Sequence, residues 1–133
     1  FFIPLILSSG GNSGSQSATL VTRGLAVGDV RLADFARIFG REVVMGLTLG
    51  AFLGAVGFVR AMMWHTGAGV SAVVGMTLAG VVMAGSIVGA LLPLGFKRLG
   101  VDPAFASSPF VASLVDVVGI VLYVLIAKAV LGV

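Results

Sequence analysis

The chain of 133 residues is 59% hydrophobic and only 10% charged, whereas about 25% of the residues in an ordinary soluble domain are charged. A water-soluble fold of this size cannot hide so much apolar surface, so the composition excludes a soluble domain and favours a protein embedded in a lipid bilayer. The absence of cysteine excludes disulfides and thiolate metal sites, and we expect the net charge of +3 to set membrane topology and not to bind nucleic acid.

The first apolar segment covers about residues 2–26 and contains a small and polar insert from Ser8 to Thr19. A lipid-facing helix would avoid such residues, so we expect the insert to face protein or a water-filled path. Close helix packing and pore lining both explain it. Asn12 and Gln16 lie four residues apart and therefore share one helix face, from which their amides can contact a hydrated ion.

A polar connection follows at residues 28–42, and the apolar residues among its charges predict a short interfacial amphipathic helix. A second span is predicted over about residues 43–63. It contains Gly46, Gly50 and Gly54 at intervals of four residues, which indicates a face for close helix packing and not a binding site.

A third span is predicted over about residues 70–94, with Gly85 and Gly89 on another small face and Pro93 at its end. The last span covers about residues 105–131 and carries Asp116 near its middle. The chain is therefore predicted to be an all-α membrane helix bundle, with about four spanning helices and one short interfacial helix in a single transmembrane domain, residues 1–133.

The basic residues predict the orientation of this bundle. Four spans alternate sides, so the connections at residues 28–42 and 95–103 share one face of the membrane. The basic residues near that face are Arg23, Arg31, Arg37, Arg41, Lys97 and Arg98, against Arg60 and Lys128 near the other. By the positive-inside rule, both connections are predicted to be cytoplasmic and the carboxyl terminus to lie outside the inner cell membrane.

Asp116 lies fourteen residues after Asp102 and twelve before Lys128, which places it about 18–21 Å from either along a helix axis and close to the bilayer midplane. An aspartate at a helix centre costs about 2.5–3.5 kcal/mol on insertion scales, so we expect it to face a cation, a proton or a hydrogen-bond donor. One turn earlier, the Ala112 carbonyl and the Ser113 hydroxyl add oxygen ligands that suit a hard cation. Mg²⁺ is often held through its hydration shell by one or two carboxylates, and a homodimer would supply two.

Two sets of residues resemble the signature sequences of one family. The first set is Pro4, Gly10, Gly11, Asn12, Gly14, Gln16, Ser17, Ala18, Thr19 and Leu20, and the second is Val101, Asp102, Pro103 and residues 109–119. Together they resemble the MgtE magnesium transporters over nearly the whole chain. The resemblance implies a homodimeric, channel-like Mg²⁺ transporter with five membrane helices per subunit and cytosolic regulatory domains. The regulatory domains and the first membrane helix are expected to lie outside residues 1–133.

The resemblance also implies roles for single residues. Asp116 matches the family's pore aspartate, with the Ala112 carbonyl nearby and Asn12 on the facing helix. Asp102 resembles an acid that helps to hold a regulatory Mg²⁺ at the cytoplasmic mouth. Further pore-lining candidates are Gly11, Gln16 and Ser113. The predicted function is thus Mg²⁺ transport by a homodimer in the lipid bilayer, without enzymatic activity and without nucleic acid as a partner.

Four alternatives compete with this interpretation. Asp116 could be a buried residue satisfied by hydroxyls or by a basic side chain. A proton-coupled divalent-cation exchanger would also use one buried acid. An assembly subunit would need only the glycine stripes. Residues 11–14 spell G-x-S-G, as in rhomboid intramembrane serine proteases, but the single histidine, His65, is predicted in an outer loop and Ser13 inside a span.

Overall fold

The computed structural model describes the whole chain from Phe1 to Val133, which forms four long helices joined by short connections. The helices are α1 at Ile3–Val27, α2 at Phe35–Met63, α3 at Ala68–Arg98 and α4 at Ser108–Leu131. Short 3-10 turns at Leu32–Asp34 and Pro103–Phe105 precede α2 and α4. The predicted all-α bundle is therefore confirmed.

Three of the four helices qualify as membrane spans by length and composition. These are α2 with its preceding 3-10 turn, α3 and α4, whose most apolar stretches have mean hydropathies of 1.9, 2.0 and 2.6. α1 is long enough at 25 residues, but its serine, asparagine and glutamine side chains lower its hydropathy. It is a helix of the bundle that needs its neighbours to cover its polar surface.

The interfacial helix predicted within residues 28–42 is not separate from the second span. α2 instead runs without interruption from Phe35 to Met63. No proline interrupts this stretch, and Asp34 supports its start: Oδ2 accepts a hydrogen bond from the Arg31 backbone N–H at 2.9 Å and lies 3.5 Å from the Arg37 guanidinium. The amphipathic segment is therefore the first two turns of a longer helix.

Two other boundaries differ from the prediction at prolines. α3 continues through Pro93 to Arg98, because packing against its neighbours holds a membrane helix together where one backbone hydrogen bond is missing. α4 begins at Ser108, with Pro109 in its first turn. A missing N–H is harmless there, since the first turn of a helix has no carbonyl partner for it.

α3 is the central helix and packs against α1, α2 and α4. Half of its most apolar stretch is buried, compared with 28% for α2 and 17% for α4. The outer surfaces of α2 and α4 instead expose large apolar side chains such as Phe52 and Val121. Such surfaces suit contact with lipid, as expected of a multi-pass membrane protein.

Glycines allow the backbones of α2 and α3 to approach closely. A Cβ added at Gly54 would lie 2.6 Å from the Gly75 carbonyl oxygen, and one at Gly50 would lie 2.7 Å from the Ala79 carbonyl oxygen. A Cβ at Gly46 would lie 2.9 Å from a backbone atom of α3. The packing face predicted from the four-residue glycine spacing is thus confirmed.

A second glycine contact joins α3 to α1. A Cβ at Gly85 would lie 2.5 Å from the Gly10 carbonyl oxygen, and one at Gly89 would overlap the Gly14 carbonyl oxygen. The small face predicted on the third span is therefore also confirmed. These two contacts place α1 and α2 on different sides of α3, and α4 packs against both α1 and α3.

Candidate functional site

α1 carries the polar insert, and the bundle divides it into two faces. The packed face, which is buried against neighbouring helices, consists of Gly10, Ser13, Gly14 and Ser17. The open face, which is exposed along the bundle, consists of Ser8, Asn12 and Gln16. Close packing and exposure therefore both occur in this segment, on different sides of one helix.

α4 crosses α1 beside the open face, at Gly11. A Cβ added at Gly11 would lie 3.5 Å from the Ala112 Cβ and 3.6 Å from Oδ1 of Asp116. Asp116 and Ala112 are one turn apart on α4, so both meet α1 at the same level. The fold thus brings Gly11, Ala112 and Asp116 together from two helices that are about a hundred residues apart in the chain.

The Asp116 carboxylate has no basic partner. The side chain is half-buried on a largely apolar helix, whose other charged residue is Lys128 in the last turn. Both ion pairs of the structure lie elsewhere, at Arg37–Asp34 and Arg41–Glu42. The alternative in which a basic residue neutralises Asp116 therefore finds no support.

The other polar candidates keep oxygen atoms accessible. Asn12 donates through Nδ2 to Ser8 Oγ at 3.5 Å, so its amide oxygen is free to bind a cation or its hydrating water. Ser113 is exposed and donates to the Pro109 carbonyl oxygen at 2.9 Å. Gln16 is exposed one turn from Asn12.

Asp102 lies apart from this group, in the connection between α3 and α4. It is exposed, and its Oδ1 accepts a hydrogen bond from the Ala104 backbone N–H at 2.9 Å, which caps the short turn before α4. Asp116 lies eight residues inside α4, which begins at Ser108. The two acids predicted to bind ions therefore lie apart within one chain.

The chain contains no group of three or more histidine or acidic side chains close enough to hold one metal ion. A single copy therefore offers Asp116 as a lone carboxylate, accompanied by carbonyl and amide oxygens. Such a sparse set of ligands suits an ion that keeps most of its own water.

A buried glutamate was missed by the sequence analysis, which assigned Glu42 to a polar connection. Only 4% of the residue is exposed. Its Oε2 accepts a hydrogen bond from Ser17 Oγ at 2.7 Å, and its Oε1 lies 3.4 Å from Arg41 NH2. The signal that could have found it is spacing, because Glu42 lies four residues before Gly46 and so continues the glycine face of α2.

The serine protease alternative is not supported by the geometry. Ser13 Oγ lies 2.6 Å from Ser86 Oγ and 3.3 Å from the Val82 carbonyl oxygen, buried between α1 and α3. His65 lies in the connection between α2 and α3 and is exposed. Ser13 therefore forms hydrogen bonds with α3, and the histidine is not positioned to act as its base.

Comparison with known proteins gives one consistent result. The family model MgtE, described as a divalent cation transporter, matches residues 3–126. Magnesium transporter MgtE of Thermus thermophilus is 43% identical over 131 residues, which are 98% of this chain and 29% of that protein. The corresponding proteins of Enterococcus faecalis and Bacillus subtilis are 34% identical over 127 residues and 30% identical over 129 residues. They cover 96% and 97% of this chain, and 28% and 29% of their own lengths.

The chain thus spans less than a third of the length of these relatives. The matched region includes the helix with the polar insert and the helix with Asp116, which carry the resemblance seen in the sequence. A family of transporters also agrees with the prediction that the chain is not an enzyme. The chain belongs to the MgtE divalent cation transporter family.

Proposed function

We propose that the chain forms the pore of a Mg²⁺ transporter, in which the Asp116 carboxylate binds the passing ion. The observation that carries this proposal is a half-buried aspartate without a basic partner, lying on a membrane helix against Gly11. The family and the magnesium transporters among its relatives support the choice of ion.

The energetics favour a cation beside Asp116. An aspartate at the centre of a membrane helix costs about 2.5–3.5 kcal/mol on insertion scales. Two opposite unit charges 4 Å apart attract by about 4 kcal/mol at an effective dielectric constant of about 20, and a divalent ion increases this attraction. A passing Mg²⁺ therefore offsets the cost of keeping the acid in the membrane.

The neighbouring oxygens suit a hydrated ion. Mg²⁺ gives up water reluctantly and is commonly held by one or two carboxylates through its hydration shell. The Ala112 carbonyl and the Asn12 amide oxygen can accept hydrogen bonds from such waters. Gly11 has no side chain to separate the Asp116 carboxylate from α1, and Gln16 and Ser113 extend the polar lining to either side.

A homodimer would complete this pore. The open face of α1 exposes Asn12 and Gln16, and polar side chains of a membrane helix avoid lipid. A second copy related by a two-fold axis would cover the open face and bring a second Asp116 to the same path. The aqueous path would then run between the two copies.

We further propose that the connections at residues 28–42 and 95–103 face the cytoplasm, following the excess of basic residues there. Asp102 would lie at that mouth with one carboxylate oxygen used in capping and the other available to a regulatory Mg²⁺. The carboxyl terminus would lie on the outer side.

The proposal is tested by Mg²⁺ flux into proteoliposomes that carry the wild-type chain, Asp116→Ala or Asp116→Asn. We expect both variants to lower flux at least tenfold, which corresponds to losing about 1.4 kcal/mol or more of interaction with the ion. Asp34→Asn is the matched control, because it removes an acid from the surface before α2 and should conduct as the wild type does.

Two results would contradict parts of the proposal. If Asp116→Ala conducts Mg²⁺ as the wild type does, Asp116 does not bind the passing ion. If Mg²⁺ flux requires a proton gradient and stops when the gradient is dissipated, the protein is a proton-coupled exchanger that uses the same carboxylate and not a channel.

A further inference from the structure

A cavity of about 340 Å³ between α1, α2 and α3 lies outside the group formed by Gly11, Ala112 and Asp116. Its polar lining consists of Ser13, Gln16, Ser17, Arg41, Glu42 and Ser86. Glu42 is held there by the fold, because it continues the face of α2 on which Gly46 packs against α3. The carboxylate therefore points into the bundle and not into lipid.

The negative charge of Glu42 is only partly compensated. Its side chain is 5% exposed, whereas the side chain of its ion-pair partner Arg41 is 59% exposed. Neighbouring residues on a helix do not face each other, and their contact is a single one at 3.4 Å. A carboxylate has about four acceptor positions, and only Ser17 and Arg41 address them.

The cavity is large enough to hold a hydrated cation that would compensate the charge of Glu42. An octahedral shell of six waters around a divalent ion occupies about 180 Å³, at about 30 Å³ per water. The available volume of about 340 Å³ exceeds this. The lining also supplies neutral oxygens, from the Ser17 hydroxyl and the Gln16 amide, that can coordinate a hard cation or accept hydrogen bonds from its hydrating water.

We propose that this cavity is a second binding site for a hydrated divalent cation, with Glu42 as its charged ligand and Gln16 and Ser17 as neutral ones. The inference deepens the proposed function and rests on it for the identity of the ion. Several binding positions in series also agree with conduction, which requires an ion to bind well enough to enter and weakly enough to leave.

The position of the cavity relates it to the pore. Ser17 lies six residues beyond Gly11 on α1, which is about 9 Å along the helix axis. Gln16 belongs both to the open face and to the cavity lining. An ion at Glu42 would therefore lie between the α1–α2 connection and the level of Asp116, one step away along α1.

The inference is tested by counting Mn²⁺ ions bound to the purified chain in detergent, by electron paramagnetic resonance of the free ion. Mn²⁺ is the probe because it is a hard divalent cation that prefers oxygen ligands. We expect Glu42→Gln to lose one bound Mn²⁺ per chain, or to bind it at least tenfold more weakly, and Asp116→Asn to keep that ion. Asp34→Asn is the control for loss of one acidic charge.

Glu42→Gln keeps the length of the side chain and a carbonyl that can accept the Ser17 hydrogen bond, and its thermal unfolding is compared with that of the wild type. Gln16→Leu is the second variant, because the Gln16 side chain lines the cavity and is exposed in a single copy of the chain. It should weaken the same Mn²⁺ site several-fold. Unchanged Mn²⁺ binding in Glu42→Gln, or in Gln16→Leu where Glu42→Gln does not fold, overturns the inference.

The two proposals can fail separately. Loss of Mg²⁺ flux in Asp116→Ala together with unchanged Mn²⁺ binding in Glu42→Gln would support the proposed pore and contradict the second binding site. Wild-type flux in Asp116→Ala together with Glu42-dependent Mn²⁺ binding would support the second binding site and contradict the proposed ion path.

Discussion

The packed and open faces of α1 both consist of small or polar residues but have opposite surroundings. On the packed face, the backbone of Gly14 touches α3 at Gly89, and Ser13 pairs with Ser86 at 2.6 Å. On the open face, Asn12 is exposed and has only a 3.5 Å hydrogen bond within its own helix. A small or polar residue in a membrane helix is therefore structural where a neighbouring helix satisfies it, and a candidate for ion binding where none does.

The largest effect is expected from enlarging the packed contact. Gly89→Leu would place a side chain against the Gly14 backbone, where even a Cβ would lie 2.8 Å from the carbonyl carbon. Because two backbones cannot give way as a side chain can, we expect a loss of about 3 kcal/mol or more of stability. Thermal unfolding and gel filtration in detergent measure it.

Gly95→Ala is the matched control in the same helix, because nothing lies within 4 Å of its added Cβ. Alanine in a helix interior is favoured over glycine by about 0.5–1 kcal/mol, so this variant should be as stable as the wild type or more stable. A Gly89→Leu chain as stable as Gly95→Ala would show that the two helices are not in backbone contact.

A smaller effect is expected from the serine pair. Ser13→Ala leaves the Ser86 hydroxyl buried without its partner, which costs about 1–3 kcal/mol. Replacing both serines by alanine should recover part of this loss, because no unpaired hydroxyl remains. Ser8→Ala on the open face is the control and should change stability by less than about 0.5 kcal/mol. Equal losses at Ser8 and Ser13 would remove the distinction between the two faces.

The smallest change in stability is expected from a substitution that tests what covers the open face. The chain has no cysteine, so Asn12→Cys introduces a single thiol at little cost, within about 0.5 kcal/mol. In a two-fold dimer that shares this face, a short bismaleimide should link two copies. Met76→Cys, on an exposed part of α3, should link far less. If Met76→Cys forms cross-linked dimers and Asn12→Cys does not, the dimer interface lies on α3 and not on the open face of α1.

The helices and the lone acid could be predicted from the sequence because they depend on local patterns. Long stretches without charge predict spans, and the spacing of Gly46, Gly50 and Gly54 predicts a packing face without knowledge of the partner. Asp116 is conspicuous for the same reason, since it interrupts an apolar segment.

What could not be predicted depends on contacts between distant segments. Residues 35–42 are amphipathic in isolation, and only the fold shows that they continue into α2 and that Ser17 of α1 meets Glu42. Both faces of α1 consist of small or polar residues, so the position of α3 is needed to show which face is buried. The hydropathy of the sequence does not predict the cavity at Glu42, because a glutamate lowers the hydropathy and therefore indicates a segment exposed to water.

The low hydropathy of α1 has a consequence for biosynthesis. Its packed face is covered by α3, and its Gly11 side by α4, yet both partners follow it in the chain. When α1 leaves the ribosome, neither partner has been made, so lipid cannot yet accept its polar side chains at low cost. Of the helices in this chain, those that cover α1 are made after it, and we expect stable insertion of α1 to depend on the synthesis of α3.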